Sequence, residues 1–234
     1  MKIGIIGGAG PEASAFFVKQ LVNIWQKKFH AVNDWEFPEI ILHSVPFEDM
    51  LGSSFNEDKV KNQVHRSLSF LRGQKCDSIV IACQTLHHFV DDNFFGDDTI
   101  HLLKLLAKCC TEMSLQVSTE PISILASITS ATEKIHVPYF SKNTIINYPQ
   151  PELSQKFIME ILAGNTDRIS LDQVLNRIGI KKGTVILGCT EFSLLKRSDT
   201  KQHCFPGKIL DPLYLAAEQL AQKFSKTHIP KAST

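Results

Sequence analysis

Two cysteines occupy positions from which a chain can do acid–base or nucleophilic chemistry. Cys83 lies in Ser78-Ile-Val-Ile-Ala-Cys-Gln-Thr85, and Cys189 lies in Thr184-Val-Ile-Leu-Gly-Cys-Thr-Glu191. Each follows a short β-branched run and one small residue, and a threonine follows each within two positions. For a lone cysteine at a strand end the ordinary reading is a buried, inert thiol. A matched pair, separated by nearly half the chain, argues instead for two similar halves that each give one thiol to a shared cleft. The thiolate is the reactive form, with a free pKa of ~8.5, and a helix start just after the cysteine increases its fraction.

The elements that must position these thiols follow from hydrophobic patterning. The runs before Cys83 and Cys189 read as buried parallel strands, which places both cysteines at carboxyl strand ends, where open α/β sheets put their ligand crevice. In the first half, strands are expected at Lys2–Ile6, Glu39–Ser44, Ser78–Ala82 and, briefly, Thr99–Leu102. Helices are expected from Pro11 to Lys28, from Asp58 to Leu71 and on to about Met113. In the second half, strands are expected at Ile122–Ala126, Asn143–Ile146, Thr184–Leu187 and Lys208–Leu210. Its helices are expected at Ser130–His136, Glu152–Ala163, Leu171–Ile178 and Pro212–Phe224. This alternation predicts an α/β protein with parallel sheets. The expected division is an N-terminal α/β domain over 1–115 and a second over 116–207, with a polar crossing at 114–120. The C-terminal segment 208–234, mostly helix, is expected to pack back on the first domain.

Bulk properties narrow the function classes. The chain has 234 residues, enough to bury a core without disulfides. A formal net charge of +1, with acids and bases mixed, gives no electrostatic reason to expect nucleic acid or an anionic membrane. No apolar run approaches the ~20 residues of a membrane span. Six cysteines without regular spacing suit a reducing cytoplasm, the expected location, better than a disulfide scaffold. Cys76, Cys109, Cys110 and Cys204 lack the context of the pair and read as structural. His87-His88 beside Cys83 invite a zinc reading, but neighbouring helical residues diverge by about 100° and no further ligands cluster there. No metal is expected.

The opening Gly4-Ile-Ile-Gly-Gly-Ala-Gly-Pro-Glu-Ala13 follows a strand and begins a helix, in the manner of a relaxed dinucleotide loop. Two features count against a nucleotide. Pro11 removes a backbone donor at the helix start, and the second strand ends at His43-Ser44 without the ribose-binding acid. The remaining readings are a tight turn with no ligand and a smaller anion site, in which the N–H groups at Ala9 and Gly10 hold a substrate carboxylate.

The opening loop, Cys83-Gln-Thr with His87 nearby, Gly188-Cys-Thr-Glu191 and the late Leu210-Asp-Pro212 resemble, in that order, the aspartate/glutamate racemases. The resemblance spans nearly the whole chain. It implies two Rossmann-like domains related by a pseudo-twofold axis, and a racemase that needs no pyridoxal phosphate or other cofactor. It implies that Cys83 and Cys189 are the catalytic thiols. It also implies that Gly8, Ala9, Gly10, Gln84, Thr85, Thr129, Ser130, Thr132 and Thr190 bind a small amino acid, with His87 and Glu191 as auxiliaries. The resemblance leaves a homodimer open. One thiolate would take the α-proton while the opposite thiol donates one, and donors around the cleft would stabilise the carbanion. Departures from the family pattern concern the side chain of the substrate. Gln84 stands where asparagine is usual, and Met50 and Leu162 stand where basic residues hold a second carboxylate. Broad specificity is therefore expected. The alternatives are a single-thiol decarboxylase or isomerase of the same fold, and a non-catalytic amino-acid-binding protein.

Overall fold

A computed structural model describes residues 1–52, 54–113, 121–197 and 205–228. The expected crossing at 114–120 and Cys204 lie outside the described residues. In the first half the strands are β1 (Lys2–Gly7), β2 (Glu39–Ser44), β3 (Ser78–Ile81) and β4 (Thr99–Ile100). The helices there are α1 (Pro11–Phe29), α2 (Glu57–Gly73) and α3 (Leu102–Glu112). The second half contains β5 (Ile122–Leu125), α4 (Ile128–Thr132), β6 (Ile146–Asn147), α5 (Pro151–Leu162), α6 (Leu171–Ile178), β7 (Thr184–Leu187), β8 (Lys208–Leu210) and α7 (Pro212–His228).

All pairings are parallel, and the two four-stranded sheets repeat one order, β2-β1-β3-β4 and β6-β5-β7-β8. The cysteine-bearing strands β3 and β7 occupy the same place in each. Because connecting helices cover both faces of a parallel sheet, its central strands are apolar throughout. β1 shows this directly: Ile3 and Ile5 join a core with Phe17, Leu21 and Trp25 of α1, while Ile6 faces Val64, Leu68 and Leu71 of α2.

Local signals explain most boundaries. Pro11 sits in the first turn of α1, after Gly10 with φ 63°. Asn56 caps α2 by accepting from the Lys59 N–H, and Ser170 and Gln173 form a reciprocal capping box at α6. Gly179, left-handed at φ 88°, ends α6. The short helix of the second half starts earlier than expected, at Ile128, because the Ser127 hydroxyl accepts from the Ser130 N–H. Lys134, at φ 48°, then takes the chain out of helical geometry.

Two helices join the halves. α3 gives Leu102 to the first core, while Leu106, Cys109 and Cys110 pack with Ile122, Ile124 and Ile186 of the second sheet. Cys76 is likewise buried, in the α2 core. Lys208–Leu210 completes the second sheet beside β7. α7 then returns to the first half, where Leu213, Ala216, Ala217, Leu220 and Ala221 complete the α1 core. Among the described residues no helix is long and apolar enough to cross a membrane.

Candidate active site

The ends of β1, β3 and β7 converge on a cavity of about 230 Å3. Cys83 and Cys189 both line it, with Gly8, Ala9, Gly10, Thr85 and Glu191. Phe47, Met50, Leu51 and Leu162 form its apolar wall, and Glu48 and Asp49 stand on the loop after β2. Among the described residues no lysine, arginine or histidine contributes to the lining. The two thiols therefore share one crevice at equivalent strand ends.

The glycine loop is shaped by its neighbours. Gly8, at φ 102°, lies so close to Val45 that a Cβ would come within 2.0 Å of the Val45 carbonyl oxygen. A Cβ on Gly10 would lie 1.9 Å from Glu191 Oε1, so the absence of a side chain there admits the carboxylate. Glu191 reaches this position because Cys189 leads into a short 3-10 turn, Thr190–Leu194, that folds back toward α1.

The two sulfurs have different partners. Cys189 Sγ donates to Glu191 Oε2 at 2.7 Å. Burial, the Glu191 charge and this hydrogen bond push the Cys189 thiol well above its ordinary range. Burial in turn raises the Glu191 carboxyl, and its bond to Cys189 opposes that rise. Cys83 is pushed up to about 12, first by burial and then by the Glu191 charge. The backbone N–H groups of Leu86 and Thr85 and the Thr85 hydroxyl oppose this by favouring the Cys83 thiolate. The Thr85 hydroxyl lies 2.8 Å from Ser130 Oγ, which in turn accepts from Ser127 Oγ at 3.2 Å.

Several residues expected to touch substrate are engaged elsewhere. Gln84 is buried and turned away from the cavity: its amide Nε2 donates to the Leu187 carbonyl at 2.6 Å, and its Oε1 lies 3.0 Å from His136 Nε2. Thr190 is also buried and donates to the Ala82 carbonyl at 3.1 Å. Thr129 donates to the Met50 carbonyl at 2.7 Å and lines a neighbouring pocket with Phe55, His88 and Phe89. Ser130 reaches the site only through Thr85, and Thr132 is exposed. None of these five lines the thiol cavity. His136, which the sequence reading did not single out, is fully buried beside Gln84, and one isolated histidine carries no pattern that could have flagged it.

His87 works on the backbone. Its Nε2 accepts from the Leu102 N–H at 3.1 Å, so its Nδ1 carries the proton and donates to the Cys83 carbonyl at 2.9 Å. Burial pushes it down to about 4, so it is neutral near pH 7 and holds the first turn of α3 against the Cys83 strand end. Among the described residues no group of three or more His, Cys, Asp or Glu could hold a metal ion.

Two like parallel sheets, each ending in a cysteine at a common crevice, define a two-thiol α/β architecture. The family model for Asp/Glu/Hydantoin racemase matches residues 6–220, and the chain belongs to that family. It is similar to an aspartate racemase structure from Picrophilus torridus, with a TM-score of 0.69 and 20% identity over 94% of each chain. It is also similar to a glutamate racemase from Francisella tularensis in complex with D-glutamate, with a TM-score of 0.65 and 17% identity over 100% of this chain and 84% of the other. In sequence it is 19% identical to the broad specificity amino-acid racemase RacX of Bacillus subtilis (strain 168) over 167 residues. That match spans 71% of this chain and 63% of the relative.

Proposed function

We propose that this protein interconverts the enantiomers of an amino acid by proton transfer at the α-carbon between Cys83 and Cys189, without a cofactor. The observation that carries the proposal is the pair of thiols lining one small cavity at equivalent strand ends. In one direction the Cys83 thiolate takes the α-proton and the Cys189 thiol donates its proton to the opposite face. The thiolate then resides on Cys189, and the reverse reaction exchanges the roles. The Ala9 and Gly10 backbone N–H groups are the proposed holders of the α-carboxylate at the start of α1.

Burial and Glu191 favour the protonated form of both thiols. An entering ammonium group supplies the positive charge that favours a thiolate, and it meets the Glu191 carboxylate on the way. The substrate itself thus contributes to activating the site.

The wall predicts a choice of substrate. A second carboxylate would meet Met50, Leu162, Glu48 and Asp49 without a cation among the described lining residues. Burying that charge unpaired is costly. Amino acids with neutral side chains are therefore the proposed substrates, in preference to aspartate or glutamate.

The test is α-proton exchange in deuterated water with a panel of amino acids, using reduced protein and no added pyridoxal phosphate or metal. Deuterium in the product enantiomer from the first turnovers, with recovered substrate largely protiated, is expected. Exclusive turnover of aspartate would overturn the substrate assignment. Absence of exchange with every amino acid would leave the binding-protein alternative in its place.

A further inference from the structure

A hydrogen-bonded chain, buried at His136 and Gln84, crosses the seam between the two sheets, and substrate binding does not account for it. It runs from Tyr148 through His136 and Gln84 to Leu187. Tyr148 Oη lies 3.1 Å from His136 Nδ1, His136 Nε2 lies 3.0 Å from Gln84 Oε1, and Gln84 Nε2 donates to the Leu187 carbonyl at 2.6 Å. The donors fall in one order. The Leu187 carbonyl can only accept, so the Gln84 NH2 faces it and the amide oxygen faces His136. His136 must then carry its proton on Nε2, and its Nδ1 accepts from the Tyr148 hydroxyl. Burial pushes His136 down to about 3, so it stays neutral near pH 7 and the order is preserved.

The seam carries a second bond of the same kind in the opposite sense. The residue after Cys83 reaches the carbonyl of Leu187, two positions before Cys189, while the residue after Cys189 reaches the carbonyl of Ala82, immediately before Cys83. Each cysteine is therefore flanked by a side chain anchored to the strand end of the other. The extra methylene of Gln84 matters here. An asparagine is shorter by about 1.5 Å, one C–C bond, and could not span both His136 and Leu187.

We propose that Tyr148, His136 and Gln84 form a strap that fixes the separation of the two cysteine-bearing strand ends, with Gln84 a positioning residue rather than a substrate ligand. Its kinetic consequence rests on the racemase reading above, whereas its geometry does not. Two sulfurs that act on opposite faces of one carbon tolerate little misplacement, since an error of about 1 Å can cost on the order of 10²-fold in rate.

The test compares Gln84→Asn and Tyr148→Phe with the parent protein by steady-state kinetics on the best substrate of the panel and by amide hydrogen exchange. For Gln84→Asn, kcat is expected to fall by about 10- to 10²-fold, with KM changed by less than about threefold. Exchange is expected to quicken at least about tenfold in both residues 83–89 and residues 185–190, while α6 is unchanged. Tyr148→Phe should move the same quantities in the same direction by less, and it carries the test if Gln84→Asn does not fold. A raised KM at unchanged kcat for Gln84→Asn, with no effect of Tyr148→Phe, would make Gln84 a substrate ligand and overturn the strap. If the parent protein racemises nothing, the proposed function fails and exchange alone decides the strap. Coordinated quickening in both segments sustains it, and quickening in one or neither overturns it.

Discussion

The ends of β3 and β7 match in backbone position and differ in what surrounds the sulfur. At Cys83 the neighbours are donors: two backbone N–H groups at the start of a 3-10 turn and the Thr85 hydroxyl, itself linked to Ser130 and Ser127. At Cys189 one donor, the Glu191 backbone N–H, is outweighed by an acceptor, the Glu191 carboxylate. Donors favour a thiolate, whereas a carboxylate favours a thiol. A symmetric fold thus holds an unsymmetric pair. Under the proposed function this makes Cys83 the readier base and Cys189 the readier acid.

Removing a sulfur should have the largest effect. Cys83→Ala and Cys189→Ala are each expected to lower racemisation by about 10²–10⁴-fold in both directions, the usual loss for one positioned acid or base. The comparison is sharpened by washing deuterium into recovered substrate in each variant, one enantiomer at a time. If Cys83→Ala racemises at near the parent rate, the two thiols do not act as a pair.

Next in size is the effect of neutralising the carboxylate. Glu191 raises both thiols, so Glu191→Gln is expected to lower both pKa values and to speed alkylation by iodoacetamide near neutral pH. Cys189 should gain more than Cys83, because it loses a direct hydrogen bond as well as a nearby charge. Peptide mapping of the labelled sites measures the difference, and equal acceleration at both would remove the asymmetry.

The smallest expected effect is on stability. His87 is held at about 4 and His101 and His136 at about 3, chiefly by burial. Unfolding lets each return toward ~6.5, so at mildly acid pH the unfolded chain binds more protons. The stability these groups contribute is complete above about pH 6.5 and is lost as pH falls toward 4 and then 3. Glu191 and Asp211 are raised by burial and act in the opposite sense, once pH reaches the carboxylate range. A urea midpoint that falls between pH 7.5 and 5.5 is expected. Replacing His136 with glutamine should flatten that fall, and an unchanged slope would remove His136 from the account.

Much of this architecture is legible in the chain. β2, β7 and β8 and helix α6 fall where apolar runs, caps and breakers put them, because those signals are local. β6 is less legible: the weakly patterned Asn143–Ile146 becomes a bridge of only two residues, Ile146–Asn147, whose place depends on β5 beside it. The same distinction holds at the site. The two cysteines and the glycine loop are read from short motifs, and they do line one cavity. The side chains after the cysteines could not be assigned that way. Whether Gln84 and Thr190 turn into the cleft or across the seam depends on carbonyls about a hundred residues away in sequence, at Leu187 and Ala82.

The return of α7 has a consequence for how the molecule comes into being. Phe17, Leu21 and Trp25 of α1 are covered partly by Leu213, Ala217 and Leu220, so the first sheet's outer layer closes only after a helix that follows the second sheet's last strand has been made. The strands of the first sheet are complete at Ile100, whereas the second sheet takes its edge strand β8 from Lys208–Leu210, just before α7. During synthesis the earlier-made half therefore waits with an apolar helix face uncovered. That face is transiently exposed apolar surface, on which a partly made chain is prone to aggregate.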